Sequence, residues 1–500
     1  MTPTVKNVPQ FGSIAVQYVV VLLFVGIIAL QVVHSWRARD DAGRYASMSR
    51  DFADFYCAGA TRNAGQNPYL SKPFDTCGTK SSRYRPVYVD AHRAPAPIPG
   101  YDVALFRALA MLPFSAAASV WLVISIGALL TVVVVGARLS GLPPAIVFAS
   151  LALPCFRITL EWGQLVPVAM GSLALAAYCV QTRRYTLAGI AVAATLIEPH
   201  LGLPACLAMF VWLPRTRIAV AGAGALLALV SLGTLGVSAN FEYFREIVPL
   251  QIAAEAPASN QMSLTWILYW MGVSQTLAIK LGVFSYYVAV AAGVWLAGRC
   301  ARAAKAPELI VLVPPAIAVI GGPFIHSVQT GVAILPALYF AGRVPRYAGY
   351  AWAAIVSFGL EWYSLNYFTS PWSLVRLESI AILIVVAAYA LRSRPLAARA
   401  AATSAAVVLY IVLSTALLHV PMLGVRMADP PAQYEASIGD RIRYSVGEWG
   451  VSVRQRPATN VSSTRTFFVK LPFWLGLGFL TVAIVRTSRR RDLGRLLTRA

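Results

Sequence analysis

The chain has 500 residues, 58% of them hydrophobic and only 12% charged, with a mean hydropathy of +0.65. Soluble domains carry about 25% charged residues, so an ordinary globular protein is excluded, as are disorder, a collagen-like rod and a small disulfide scaffold. Forty-two Lys and Arg against 20 Asp and Glu give a net charge of +22. In a membrane chain, retained cytoplasmic loops and anionic head groups account for such an excess, and no compact basic domain stands apart to bind nucleic acid.

The first apolar stretch, 13–34, is too long for the apolar region of a signal peptide, and no small-residue cleavage site follows it. It reads as an uncleaved span. Further apolar runs follow at about 115–137, 143–157, 165–181, 186–197, 199–213, 217–238, 275–298, 307–322, 325–342, 347–366, 374–391, 401–420 and 469–487. They predict an all-α polytopic membrane protein, a bundle of about 13–14 transmembrane helices forming a single integral domain over 1–500. Several runs fall short of the ~20 residues that a straight crossing needs. Polar breaks at Glu161–Gln164, Glu198–His200 and Pro323–His326 predict helices that stop inside the bundle. Broken backbone at that depth survives only where protein or a wet cavity covers it.

Charge on the short loops sets the orientation. Arg138; Arg183 and Arg184; Arg215 and Arg217; Arg299, Arg302 and Lys305; Arg343 and Arg346; Arg392, Arg394 and Arg399; and Arg486 with Arg489, Arg490 and Arg491 fall on every second loop. That alternation predicts a multi-pass membrane protein with both termini cytoplasmic. The long loops 35–112, 239–274 and 421–468 are then extracytoplasmic, and nearly every acidic residue falls on that side, Glu308 and Asp492 being the clear exceptions. Chemistry that needs carboxylates is expected on that outer face.

Cys57 and Cys77 share the first outer loop, where both a bridge and two free thiols remain open. Cys155, Cys179, Cys206 and Cys300 lie in or beside spans. There is no Cys/His spacing for zinc, no Gly-rich phosphate loop, no dinucleotide fingerprint and no internal repeat. A metal is not indicated, though a divalent ion is compatible with the chemistry below.

The first outer loop opens Arg50-Asp51-Phe52-Ala53-Asp54-Phe55-Tyr56-Cys57-Ala58-Gly59 and runs on to Gly65-Gln66-Asn67-Pro68-Tyr69. Phe52, Phe55, Tyr56 and Gly59 recur at helical spacing, which predicts an amphipathic helix lying on the membrane surface. A carboxylate at its start gains from the helix N-terminus. Asp51 as a plain N-cap, or paired with Arg50 or Arg44, is the competing reading. At the hinges, Gln164 or Glu161 could hydrogen-bond a sugar hydroxyl beside Trp162. Glu198 and His200 carry polar groups to a second tip, and His326 to a third. Capping and packing explain each of these alone. Asn260, Gln261 and Ser263 add amides and a hydroxyl to the same face, and Arg83, Arg85 and Lys280 offer cations for a phosphate.

These residues resemble those of glycosyltransferase family 87, the polyprenyl-phosphate-mannose-dependent α-mannosyltransferases of the GT-C type. The resemblance rests on Asp51-Phe52 leading into Phe55-Tyr56-Cys57-Ala58-Gly59, on Gly65-x-x-Pro68-Tyr69, and on Ala96-Pro97-Ile98-Pro99 before the second span. It rests also on Gly163-Gln164, Glu198-Pro199-His200, Asn260-Gln261-x-Ser263 and His326 before an apolar helix. These landmarks span about 45–340; the family commonly has Lys-Pro-Gln where this chain has Glu198-Pro199-His200. The resemblance implies the bacterial inner (plasma) membrane, with a periplasmic cavity roofed by the first loop and entered from the lipid by a prenyl-linked sugar donor. It makes Asp51 the catalytic base and His326 an active-site contact. Asp54, Tyr56, Gln164, Glu198, His200, Asn260, Gln261 and Ser263 are the accompanying substrate-binding candidates.

One carboxylate suffices for such a reaction. Glycoside hydrolases pair two because an alkoxide leaves poorly, whereas a polyprenyl phosphate leaves as a stabilised anion. What remains is a base for the acceptor hydroxyl and cations or donors for the phosphate. The expected activity is inverting transfer of a hexose, mannose by the resemblance, to a lipid- or glycan-linked acceptor. The partners are membrane lipid, the donor and that acceptor, with no other cofactor required. A transporter or lipid flippase is the alternative; it would place polar groups through the bilayer and favour repeats. A non-catalytic envelope scaffold is the third reading.

Overall fold

The computed structural model describes residues 14–37, 50–69, 77, 97–152, 157–256, 261–359, 374–419 and 464–489. Among them the chain is helical throughout, with no strand beyond one isolated bridge between Gln261 and His326. Among the described residues five helices are long and apolar enough to cross a membrane: Ala15–Val33, Phe114–Ser140, Pro214–Ala253, Gln275–Ala304 and Lys470–Ser488. Shorter apolar helices, including Val166–Gln181, Tyr185–Ile197, Pro199–Trp212 and Leu309–Ala318, fill the space among them. The chain is an all-α polytopic membrane protein.

In chain order the elements used below are α1 (Ile14–Arg37), α2 (Arg50–Asn63), α3 (Gly100–Leu109), α4 (Phe114–Ser140), α5 (Pro144–Leu151), α6 (Arg157–Trp162), α7 (Val166–Gln181), α8 (Tyr185–Ala194) and α9 (Pro199–Trp212). They continue with α10 (Arg217–Glu242), α11 (Val248–Glu255), α12 (Leu264–Trp270), α13 (Gln275–Ala304), α14 (Leu309–Ala318), α15 (Ile334–Arg343) and α16 (Ala348–Gly359). Then come α17 (Leu374–Ala390), α18 (Leu396–His419) and α19 (Thr464–Ser488). The closest partners are α4 with α7, α13 with α14, α9 with α14, and α16 with α19. One apolar cluster runs through all of these. Proline punctuates the breaks: Pro144, Pro167 and Pro199 stand in the first turns of α5, α7 and α9, where a missing N–H costs nothing.

The helix predicted at Asp51 forms, but its setting differs from the expected one. It does not rest its apolar face on lipid. Phe52, Ala53, Phe55, Tyr56, Cys57 and Ala58 are all buried against α3 and α4. Phe52 is fully covered, its ring within 6.3 Å of those of Phe106, Phe114 and Trp121. Aromatic rings from two neighbouring helices give denser contact than acyl chains, and such pairs add about 0.5–1.5 kcal/mol each beyond area burial. Cys57 is joined to Cys77 in a disulfide, settling that open pairing. Cys155 lies outside the described residues.

Gly59 is where α2 crosses α3. A Cβ there would collide with the Phe106 carbonyl, so the absence of a side chain sets how closely the two helices approach. Gly59→Val is expected to cost about 1–3 kcal/mol through overpacking. Thermal unfolding in detergent measures it, with Gly26→Ala as the reference, since nothing lies within 4 Å of a Cβ at Gly26.

Candidate active site

Four helix ends meet in one layer of the bundle. The first is the end of α6. Gly163 takes a left-handed φ of 68°, and its N–H bonds the Leu160 carbonyl at 3.3 Å while the Gln164 N–H bonds the Thr159 carbonyl at 2.9 Å. That pair of bonds is a Schellman cap. Trp121 Nε1 pins the turn to α4 through the Gly163 carbonyl at 2.9 Å. The cap leaves the Gln164 side chain, buried, to donate its amide Nε2 to Asp51 Oδ2. Asp51 stands in the first turn of α2, where the helix N-terminus favours its charge.

The second and third ends are the start of α9 and a short tight helix, Ser327–Ala333. Glu198 has non-helical backbone, and its carbonyl accepts the Leu201 and Gly202 N–H groups, both at 2.9 Å. Its side chain turns inward. Gln329 Nε2 donates to Glu198 Oε2 at 3.3 Å, and the same carboxylate oxygen stands 3.7 Å from His200 Nδ1. Gln329 Oε1 in turn accepts the His326 N–H at 2.9 Å, the reciprocal arrangement of a capping box. The amide of Gln329 thus ties His326 to Glu198.

The fourth end is the start of α12. Ser263 Oγ accepts the Trp266 N–H at 3.3 Å and donates to the Pro323 carbonyl at 3.4 Å. Gln261 Oε1 accepts the Ile325 N–H at 2.8 Å, and the Met262 N–H bonds the Ile325 carbonyl at 2.6 Å. These bonds staple the 261–263 segment to the 323–326 turn.

The structure therefore brings Asp51, Gln164, Glu198, His200 and His326 together, and engages Gln261 and Ser263 in holding the hinge. Tyr56 is buried beside Phe52 and Phe114, its hydroxyl donating to the Leu112 carbonyl at 2.9 Å. Asp54 is half-buried one turn after Asp51. Lys280 is exposed on α13. Asn260, Arg83 and Arg85 lie outside the described residues.

Sequence reasoning passed over Asp102. It sits in the first turn of α3, 3% exposed, with Oδ2 buried and unpartnered among the described residues. Burial holds its carboxyl well above the usual range, and the Glu198 charge adds to that. Tyr101, beside it, donates to the Leu196 carbonyl at 2.7 Å and so docks α3 on the turn that precedes Glu198. The signal was present: an acid two residues into an apolar stretch that opens on Pro99 and Gly100.

Glu198 has the most informative electrostatics. Burial pushes its carboxyl up to about 7; His326 and the Gln329 amide pull it down, and Asp51 pushes it up. Because the fold penalises the charged form, the penalty is absent where folded and unfolded chains both hold the proton. It grows as pH rises from about 4.5 to about 7 and persists above. Glu198→Gln is expected to match the wild type in thermal unfolding near the lower limit and to exceed it above the upper one. A gap independent of pH would contradict this.

Residues 101–319 match the model of glycosyltransferase family 87, a stretch that holds Gln164, Glu198, His200, Gln261 and Ser263 but stops short of Asp51 and His326 at either end. The sequence landmarks ran wider, over about 45–340. No curated protein matches the chain, and no solved structure does. Over 101–319 the chain is thus similar to glycosyltransferase family 87, the family that the sequence landmarks resemble, and that similarity indicates a membrane glycosyltransferase.

Proposed function

We propose that the protein moves a hexose, mannose by its resemblance, from a polyprenyl-phosphate donor to a lipid- or glycan-linked acceptor on the periplasmic face of the inner membrane, with Asp51 as base. The observation that supports this is the meeting of Asp51 with Gln164, and of Glu198 with Gln329 and His326, in one polar layer of an otherwise apolar bundle. The acceptor O–H gives its proton to the Asp51 carboxylate as the oxygen forms a bond to the sugar's anomeric carbon. The bond from that carbon to the phosphate oxygen breaks, and its electron pair leaves with polyprenyl phosphate. The displacement is single-step and inverts a β-linked donor to an α-linked product.

The environment suits the task. A hydrogen bond from Gln164 favours the charged form of Asp51 and fixes the direction in which the carboxylate faces. Glu198 and His200, with Gln329 between hinge and carboxylate, offer both acceptors and donors to sugar hydroxyls. Buried polar groups built to pair with hydroxyls discriminate strongly against substrates that lack them.

Incubating the purified protein with synthetic polyprenyl-phosphate mannose and measuring free polyprenyl phosphate tests the reading. Asp51→Asn is expected to lose about 10²–10⁴-fold in rate, the usual contribution of a general base, while remaining folded and membrane-inserted. Gln164→Leu is expected to lose about tenfold, since it only orients that base. Full activity in Asp51→Asn with loss in Asp54→Asn would move the role to Asp54. Absence of turnover with any prenyl-linked sugar, together with measurable solute movement, would favour the transporter.

A further inference from the structure

Lys470 lies near the start of α19, outside the matched stretch, and is 1% exposed. Its ammonium donates to the Gln261 carbonyl and stands 3.1 Å from the centroid of the Trp266 ring. Among the described residues no carboxylate pairs with it. Removing one partner of a buried ion pair leaves a charge that costs several kcal/mol, and the partners that the described residues give Lys470 are a neutral carbonyl and a ring face. A neutral donor would satisfy the Gln261 carbonyl equally well.

Trp270 stacks on Trp266 with centroids 6.3 Å apart, and Phe467 stacks on Trp270 at 4.4 Å, so three rings form a ladder beside the ammonium. The indole Nε1 groups of Trp266 and Trp270 are both buried with no hydrogen-bond partner among the described residues. A buried lysine and two orphaned donors on an apolar ladder suit an anion carried by an apolar chain. The position is also apt: the Gln261 that Lys470 contacts bridges to His326, whose neighbour Gln329 holds Glu198.

We propose that Lys470, with Trp266 and Trp270, binds the phosphate monoester of a lipid-linked phosphate, holding it beside the hinge layer. Naming that ester as the leaving group of the sugar donor rests on the proposed transfer reaction; the anion site itself does not.

The test is tryptophan fluorescence titration of the full-length protein, in discs of zwitterionic lipid, with polyprenyl phosphate, neutral polyprenol or inorganic phosphate. Wild type is expected to bind polyprenyl phosphate about 10- to 100-fold more tightly than polyprenol, the range for charge-assisted hydrogen bonds. Lys470→Met is expected to erase that difference, Trp270→Phe to shrink it, and Asp51→Asn to leave it intact. Should Lys470→Met fail to fold, the wild-type comparison and Trp270→Phe still decide. Equal affinity for phosphate and polyprenol, or no effect of Lys470→Met, overturns the site. Lys470-dependent binding of inorganic phosphate as tight as the lipid's overturns its assignment to a lipid-linked ester. Lys470-dependent binding without any sugar transfer sinks the reaction and leaves the site standing.

Discussion

A helix that stops inside an apolar bundle leaves N–H and carbonyl groups that must find partners, and neither lipid nor apolar side chains can supply them. Most of the polar layer in this protein answers that constraint. The end of α6 is closed by a Schellman turn, the start of α9 by the backbone of Glu198, the Ser327–Ala333 helix by the box between His326 and Gln329, and α12 by Ser263. Each cap brings a polar side chain to the place where backbone regularity fails. Because the breaks lie at one level, their side chains meet.

The same constraint explains why the meeting is electrically tense. Capping draws Glu198 into a site where its charge is poorly solvated, close enough to Asp51 for the two to repel. Asp51 escapes that penalty in part through the helix N-terminus and the Gln164 amide. Glu198 is pushed towards its protonated form, in which a carboxyl group donates as well as accepts hydrogen bonds. Glu308 makes the contrast. It too is buried, but Gln181 at 3.1 Å and Tyr339 at 2.8 Å both donate to its Oε1, and it joins α7, α15 and the turn before α14 as a structural lock.

What positions Asp51 is packing rather than polarity. The rings of Phe52, Phe106, Phe114 and Trp121 seat α2 against α3 and α4, and Gly59 lets the backbones close. Gly163 then offers its carbonyl to the same Trp121 that stacks on Phe52. One tryptophan thus links the helix bearing the base to the turn that orients it. Function here depends on an apolar cluster that contains no functional group.

The amino-acid sequence by itself determined the class of fold, the bounds of most described apolar helices to within a few residues, the three polar breaks and the helix at Asp51. Those features follow from local hydropathy, proline and charge, which act over one or two helical turns. It did not disclose that α2 is buried, that Cys57 bonds Cys77, that Gln329 couples His326 to Glu198, or that Asp102 and Lys470 are enclosed. Lys470 reads as an ordinary polar residue at the edge of an apolar run until Gln261 and Trp266, some two hundred positions earlier, are brought against it. Burial and pairing are properties of residues distant in the chain, and only the packed bundle decides which of them share a neighbourhood.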